Sequence, residues 1–251
     1  MPRVAIIMTV FNREAFLQEA IASFSAQSYT DAQLLVWDDG STDGSLHIAQ
    51  SLALKDQRIK VVNAPHLGRA IALKKAVQLT SSEFLGLLDS DDKLAPTAIE
   101  DTVALLEREP SVGMVYSQYY EMDIKGSVRG VGKRSLIPFS KDRLLVDFMT
   151  FHFRLLRRSV YEQVEGFDPD FVCAQDYDLC LKISEVTQVA HIPKPLYFYR
   201  WHNNSVSCQR QLEQIHFSQR AIHNALKRRG LEDKLELEVQ LRPQFLIKRK
   251  S

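Results

Sequence analysis

Short apolar runs alternate with stretches of helical period through the first half of this chain. Val4 to Val10 carries six apolar residues and one threonine and predicts a buried strand. Arg13 to Gln27 places Phe16, Leu17, Ala20, Ile21 and Phe24 on one side of a helix. Gln33 to Trp37 predicts a second strand, Ser45 to Leu54 a helix and Ile59 to Val62 a third strand. Leu67 to Leu79 is helical in period, Glu83 to Leu88 is the central strand, Ala95 to Glu109 is a helix and Val112 to Gln118 another strand. This rhythm predicts an α/β fold with a mostly parallel sheet and helices on both faces. Right-handed crossovers then gather the loops after the strands on one edge.

The second half is less regular. Residues 121–150 carry Gly126, Gly130, Gly132 and Pro138 among basic residues, the pattern of an excursion and loop. Residues 151–165 predict a strand and a short helix, and Gln175 to Glu185 a helix. Val189 to Ile192 and Leu196 to Arg200 predict two strands around Pro193 and Pro195, and Gln209 to Arg228 a long helix. No internal repeat is present.

Composition removes some function classes. With 251 residues, 45% hydrophobic and 25% charged, the chain has the make-up of a soluble globular protein. A net charge of +1 supplies no general field for nucleic acid. Cys173, Cys180 and Cys208 have no CxxC spacing, which suits a reducing cytoplasm better than disulfides or zinc. The apolar start, Met1 to Met8, is too short for a signal segment, and no window approaches the roughly 20 apolar residues of a membrane span. Lys248, Arg249 and Lys250 follow Phe245, Leu246 and Ile247, as a solvated tail or as a contact with an anionic membrane surface. The expected location is cytoplasmic, and peripheral contact at the inner face of the membrane is compatible with it.

The candidate chemistry begins at Asp89-Ser90-Asp91-Asp92, directly after the apolar run Phe84 to Leu88. The carboxyl end of such a strand is where an open α/β sheet places a ligand. Crowded carboxylates repel unless a cation or polar ligand relieves them, and oxygen ligands suit a hard ion such as Mg²⁺ or Mn²⁺. The plainer reading is a cap for the next helix, but three aspartates exceed what a cap needs. A second acidic stretch, Asp38-Asp39-Gly40-Ser41-Thr42-Asp43, ends the second strand and is expected in the same cleft. A carboxylate there can accept hydrogen bonds from a base or a ribose; Gly40 permits a tight turn, and Asp43 suits a helix cap. The first strand ends Met8-Thr9-Val10-Phe11-Asn12-Arg13, where backbone and Phe11 could meet a flat base, or Asn12 could simply cap a turn.

These stretches together resemble the family 2 glycosyltransferases of the GT-A fold. The resemblance rests on Val4 to Asn12, Val36 to Ser45, Leu88 to Asp92, Gly166-Phe167-Asp168 with Gln175 to Leu179, and Tyr199 to Ser207, in that order. It implies a Rossmann-like, mostly parallel sheet with a smaller, irregular acceptor-side half. Residues 1–118 would form the nucleotide-sugar-binding half, 119–207 the acceptor-binding and catalytic-base half, and 208–251 a C-terminal helix and basic tail. It implies an inverting transferase that moves a sugar from a UDP-sugar to a sugar, glycan or lipid-linked acceptor, with Mn²⁺ or Mg²⁺ as cofactor, in polysaccharide or surface-glycan synthesis.

The implied roles follow residue by residue. Thr9, Phe11, Asn12, Asp39 and Arg69 fall on the nucleotide side. Asp91 touches ribose or metal, with Asp92 and His202 as further metal ligands. Asp176 is the base that takes the acceptor proton, as a single displacement requires. Asp89, His152, Arg157, Arg200 and Trp201 would line the acceptor or phosphate side. Thr9 and Phe11 stand where the family usually has proline and tyrosine, Gln175 where glutamate is common, Lys75 where asparagine is frequent, and Glu165-Gly166 replaces a glycine pair. A catalytically silent nucleotide-sugar-binding module and a nucleotidyltransferase are the alternatives. The second would need a basic phosphate loop near the N-terminus, and Thr9 to Arg13 makes a poor one.

Overall fold

A computed structural model describes residues 1–202 and 209–240. The first strand, β1 (Val4–Val10), is buried along its whole length, because β2 (Ala32–Asp39) and β4 (Phe84–Leu87) flank it in parallel. Its side chains alternate between two cores. Val4, Ile6, Met8 and Val10 face a layer that includes Leu17, Ala20, Ile21 and Phe24 of α1 (Glu14–Ser25) and Ala98, Ile99 and Val103 of α4 (Ala98–Arg108). Ala5 and Ile7 face the other layer, with Ala72, Leu73, Ala76 and Val77 of α3 (Arg69–Gln78). A strand apolar at all but one position is what coverage on both faces demands.

Between these lie α2 (Ser45–Ala53) and β3 (Ile59–Ala64). The later elements are β5 (Lys93–Leu94), β6 (Val112–Met122), β7 (Val128–Val131), β8 (Arg154–Arg157), α5 (Arg158–Gln163), α6 (Gln175–Val186), β9 (Gln188–Arg200) and α7 (Gln211–Arg228). Among the described residues the strands form one sheet in the order β3-β2-β1-β4-β8-β6-β9-β5, with β7 paired to β6. The pairs β3-β2, β2-β1, β1-β4 and β6-β9 are parallel, whereas β8 runs antiparallel to both β4 and β6.

Three expectations change. The two strands expected around Pro193 and Pro195 are one strand, β9, which keeps pairing with β6 through register shifts at Ser117 to Tyr119. Proline lacks an N–H for the ladder, and irregular register absorbs the gap. Residue 118 lies inside β6, which runs on to Met122. The excursion over 121–150 contains β7 and two short 3-10 turns, Lys133–Leu136 and Arg143–Leu145. No helix among the described residues is long and apolar enough to cross a membrane. The basic tail from residue 241 and the segment Asn203 to Cys208 lie outside the described residues.

Parallel pairing places the carboxyl ends of β1, β2 and β4 on one edge, so Phe11, Asp39 and Asp89 emerge side by side. β9 returns antiparallel to β5, with Leu94 opposite Tyr197, and brings Tyr197 and Arg200 against the loop after β4.

Candidate active site

The loop Asp89 to Asp92 is held from several sides. The Tyr197 hydroxyl donates to Asp92 Oδ2 at 2.9 Å and accepts the Asp89 backbone N–H at 3.1 Å. The Arg200 backbone N–H donates to Asp92 Oδ1 at 2.7 Å. Asp92 is thus buried and turned inward. Burial, and then the charges of Asp91 and Asp89, push its carboxyl well above the ordinary range. Asp91 points the other way: its Oδ2 lies 2.9 Å from His202 Nε2 and 3.3 Å from Arg13 Nε.

Asp89 meets Arg69 at 2.5 Å, from the first turn of α3. Burial alone would raise the Asp89 carboxyl. The Arg69 guanidinium, helped by His152 and Arg154, outweighs burial and holds it down at about 2. His152 Nε2 lies 3.9 Å from Asp89 Oδ2. Its ring stacks on Tyr197 at 4.5 Å. Burial, followed by the nearby Arg154 charge, drives His152 down to about 3, so the imidazole is neutral at physiological pH.

Asp176 stands in the first turn of α6, just after Ala174, whose left-handed backbone (φ 55°) turns the chain into the helix. One carboxylate oxygen accepts the Tyr177 N–H at 2.9 Å; the other accepts Arg154 Nη2 at 3.0 Å. Arg154 is buried in β8 and also donates to Thr150 O at 3.2 Å. Both Arg69 and His152 feel the charge of Asp176 as well as that of Asp89. The acidic loop and Asp176 therefore face one electrostatic pocket, with Arg69, His152 and Arg154 between them.

On the strand-end side, Asp39 is buried and its carboxylate accepts the backbone N–H groups of Leu67 and Gly68 at 3.0 and 2.9 Å. It sets the loop that leads into α3. Gly40 (φ 79°) makes this possible, because a Cβ there would come within 2.8 Å of the His66 backbone nitrogen. Phe11 is half-exposed, its ring 4.3 Å from that of His66. Asn12 Oδ1 accepts the Thr42 N–H at 2.8 Å and ties the loops after β1 and β2 together. Thr9 is buried near the end of β1.

The sequence matches the model of glycosyl transferase family 2 over residues 5–165, well over half the chain. The chain belongs to glycosyltransferase family 2. Among its relatives, the chondroitin synthase of Escherichia coli is 29% identical over 92% of this chain and 34% of its own length. The hyaluronan synthase of Pasteurella multocida is 28% identical over 92% of this chain and 24% of its own. The chain thus spans about a third or less of these relatives. Among solved structures, the mannosyltransferase PcManGT of Pyrobaculum calidifontis, in complex with GDP-Man and Mn²⁺, superposes with TM-score 0.73 at 19% identity, over 90% of this chain and 64% of that one. S. aureus TarS 1–349 in complex with UDP gives 0.70 at 18% identity, over 89% and 65%. The fold is that of the GT-A glycosyltransferases.

In this family 2 chain the acidic loop has the make-up to hold a hard divalent ion. Ligand atoms of Asp89, Asp92 and His152 converge within 4.8 Å of one another. The donors are two carboxylates and a neutral imidazole; burial, followed by the charges of Asp91 and Asp89, raises the Asp92 carboxyl, and a nearby cation would favour its ionised form. This convergent set differs from the expected Asp91, Asp92 and His202. Of those, Asp91 and His202 meet each other, whereas Asp92 faces Tyr197 and the β9 backbone.

Three expected site residues make their contacts elsewhere. Arg157 sits at the opposite end of β4, paired with Phe84, and donates to Val112 O and Leu106 O. The register of β8 carries it there, because an antiparallel neighbour of β4 moves away from the loop edge as it proceeds. Arg200 is buried, and its guanidinium serves Asp91 O, Ile124 O and Glu19 beneath the loop, away from Asp176. Trp201 lies on the surface, its backbone N–H on Met122 O. Sequence reasoning passed over Arg154 and Tyr197. A lone charge in the apolar run Phe153-Arg154-Leu155-Leu156 was the available signal for the first; nothing local marked the second.

Proposed function

We propose that this chain transfers a sugar from a UDP-sugar to an acceptor hydroxyl with inversion, in the making of a polysaccharide or surface glycan. The carrying observation is the juxtaposition of two carboxylates: Asp89 pairs with Arg69 and lies 3.9 Å from His152, and Asp176 pairs at 3.0 Å with Arg154, two residues on from that histidine. The relatives named as chondroitin and hyaluronan synthases support the product class. TarS complexes with UDP and UDP-GlcNAc support the donor, and GDP-Man on PcManGT makes guanosine the competing base.

Asp176 accepts the proton of the attacking hydroxyl through its partly exposed carboxylate. The acceptor oxygen bonds to the anomeric carbon from the face opposite the diphosphate as the bond to the leaving oxygen breaks. One displacement, with no covalent enzyme intermediate, inverts the centre and releases UDP. Arg154 fixes Asp176 for that proton, and Arg69 sets positive charge beside the acidic loop where a diphosphate would lie.

Bound Mn²⁺ or Mg²⁺ would offset charge on the departing diphosphate. Asp91 with His202 is the preferred anchor. Among the described residues only Oδ2 of Asp91 is engaged, whereas both oxygens of Asp92 already accept hydrogen bonds. A cytoplasmic setting, with peripheral contact at the inner face of the membrane, belongs to the same proposal and is supported by the free, buried thiols of Cys173 and Cys180.

The test compares the native chain with Asp176→Asn, using UDP- and GDP-sugars with Mn²⁺ or Mg²⁺. Loss of transfer with nucleotide affinity retained is the expected result. Undiminished transfer by the variant would sink the proposal, as would thermal stabilisation by GDP but not by UDP for the choice of donor.

A further inference from the structure

An aromatic wall stands beside the pocket and has no part in the scheme above. Phe151 and Phe148 are half-buried, their centroids 5.8 Å apart. Phe151 touches the His152 ring at 4.5 Å and the Tyr199 ring at 5.2 Å. Phe148 lies 5.5 Å from the Arg154 guanidinium, and Arg154 grips Asp176. A continuous set of contacts therefore links the wall to the candidate base.

The rim of this wall carries a cation. Arg134 sits 4.9 Å over the Phe151 ring. It is exposed, and among the described residues it has no acidic partner, whereas nearby Arg129 is tied to Asp123. Its position is built. Arg134 belongs to the 3-10 turn Lys133–Leu136, and the preceding Gly132 donates to Tyr119 O at 2.8 Å. Gly132 packs so tightly that a Cβ there would overlap the Tyr119 ring. The buried Ser135 hydroxyl closes the turn on Gly132 O at 2.9 Å. A guanidinium stacked on an aromatic ring is pre-organised and keeps its N–H fork for a planar anion.

We propose that Phe148, Phe151 and Arg134 form an acceptor subsite for a sugar bearing an anionic group. The pyranose packs into the corner that the two phenyl rings make at 88° to one another, and its carboxylate or phosphate meets Arg134. Apolar ring faces with one convergent charge make the usual recognition pattern of a small-ligand site. The inference rests on the transferase reading only for the word acceptor.

The test is binding, not turnover. Methyl glucuronide, glucose 6-phosphate and neutral methyl glucoside are titrated into the native chain at fixed ionic strength, with affinities read by ligand-observed NMR. At least one charged probe is expected to bind about tenfold tighter than methyl glucoside, as one charge-assisted contact provides. The favoured arm identifies the anion as uronate or phosphate. In Arg134→Gln that ratio falls towards one, and in Arg134→Lys it is intermediate. Equal binding of charged and neutral probes by the native chain overturns the proposal. So does a charged-probe preference that survives in Arg134→Gln. A failed donor reading appears instead as absent UDP-sugar turnover and leaves these affinities untouched.

Discussion

Arg154 holds Asp176 at 3.0 Å, joining a buried strand to the first turn of a helix across 22 positions of chain. The arginine has little freedom, since Thr150 O takes another of its N–H groups and Phe148 covers its face. Asp176 is thus fixed in place by the fold itself. Replacing Arg154 by glutamine is expected to lower the transfer rate about 10- to 100-fold, the usual effect of a misplaced reacting group. UDP affinity should stay within about twofold, because Arg154 is not on the nucleotide side, and Arg154→Lys should recover part of the rate. Single-turnover rates beside UDP titrations give both numbers.

Tyr197 ties two carboxylate positions with one hydroxyl. Tyr197→Phe keeps the stack on His152 and removes only that tie. The expected result is an apparent affinity for Mn²⁺ about 10- to 100-fold weaker, in line with the loss of a hydrogen bond that shapes the loop carrying the proposed anchor. Calorimetry with Mn²⁺ and UDP reads it directly, and unchanged affinity would show that the loop holds its shape without Tyr197.

Arg200 is a fold-holding residue. Its buried guanidinium satisfies two carbonyls and Glu19, and it lies 5.0 Å over Phe16. Arg200→Ala removes the donor to both carbonyls and leaves a void where the buried side chain stood. A loss of about 3 kcal/mol of stability is expected from such a site. Urea unfolding of the two proteins measures it.

His191 predicts a pH slope. Its ring stacks on Tyr116 at 4.6 Å, its Nε2 is buried without a hydrogen-bond partner, and burial lowers its pKa from 6.5. The folded state therefore resists a proton that the unfolded chain accepts. The contribution is fully present above pH 6.5 and is lost as the pH falls through the lowered folded value. His191→Phe should flatten that acid-side decline, measured as melting temperature between about pH 7 and pH 5.

Much of this was legible in the chain itself. The apolar runs marked β1, β2 and β4 because strands covered on both faces must be largely apolar, and the helices between them showed their period. The aspartates at 89–92 and at 176 were conspicuous as carboxylates in a motif order that resembles a known family. Their local chemistry required no long-range knowledge.

Tertiary structure decided which charges share a pocket. Arg157 and Arg154 stand at the two ends of one short strand, yet only Arg154 reaches Asp176, because the antiparallel register of β8 on β4 carries Arg157 to the far end of the sheet. Arg200 adjoins the histidine segment but is buried beneath the acidic loop, since β9 crosses to pair with β5. Local patterns specify which face of an element is apolar. Strand order and register specify which polar ends meet, and these depend on contacts as distant as the 108 positions between Asp89 and Tyr197.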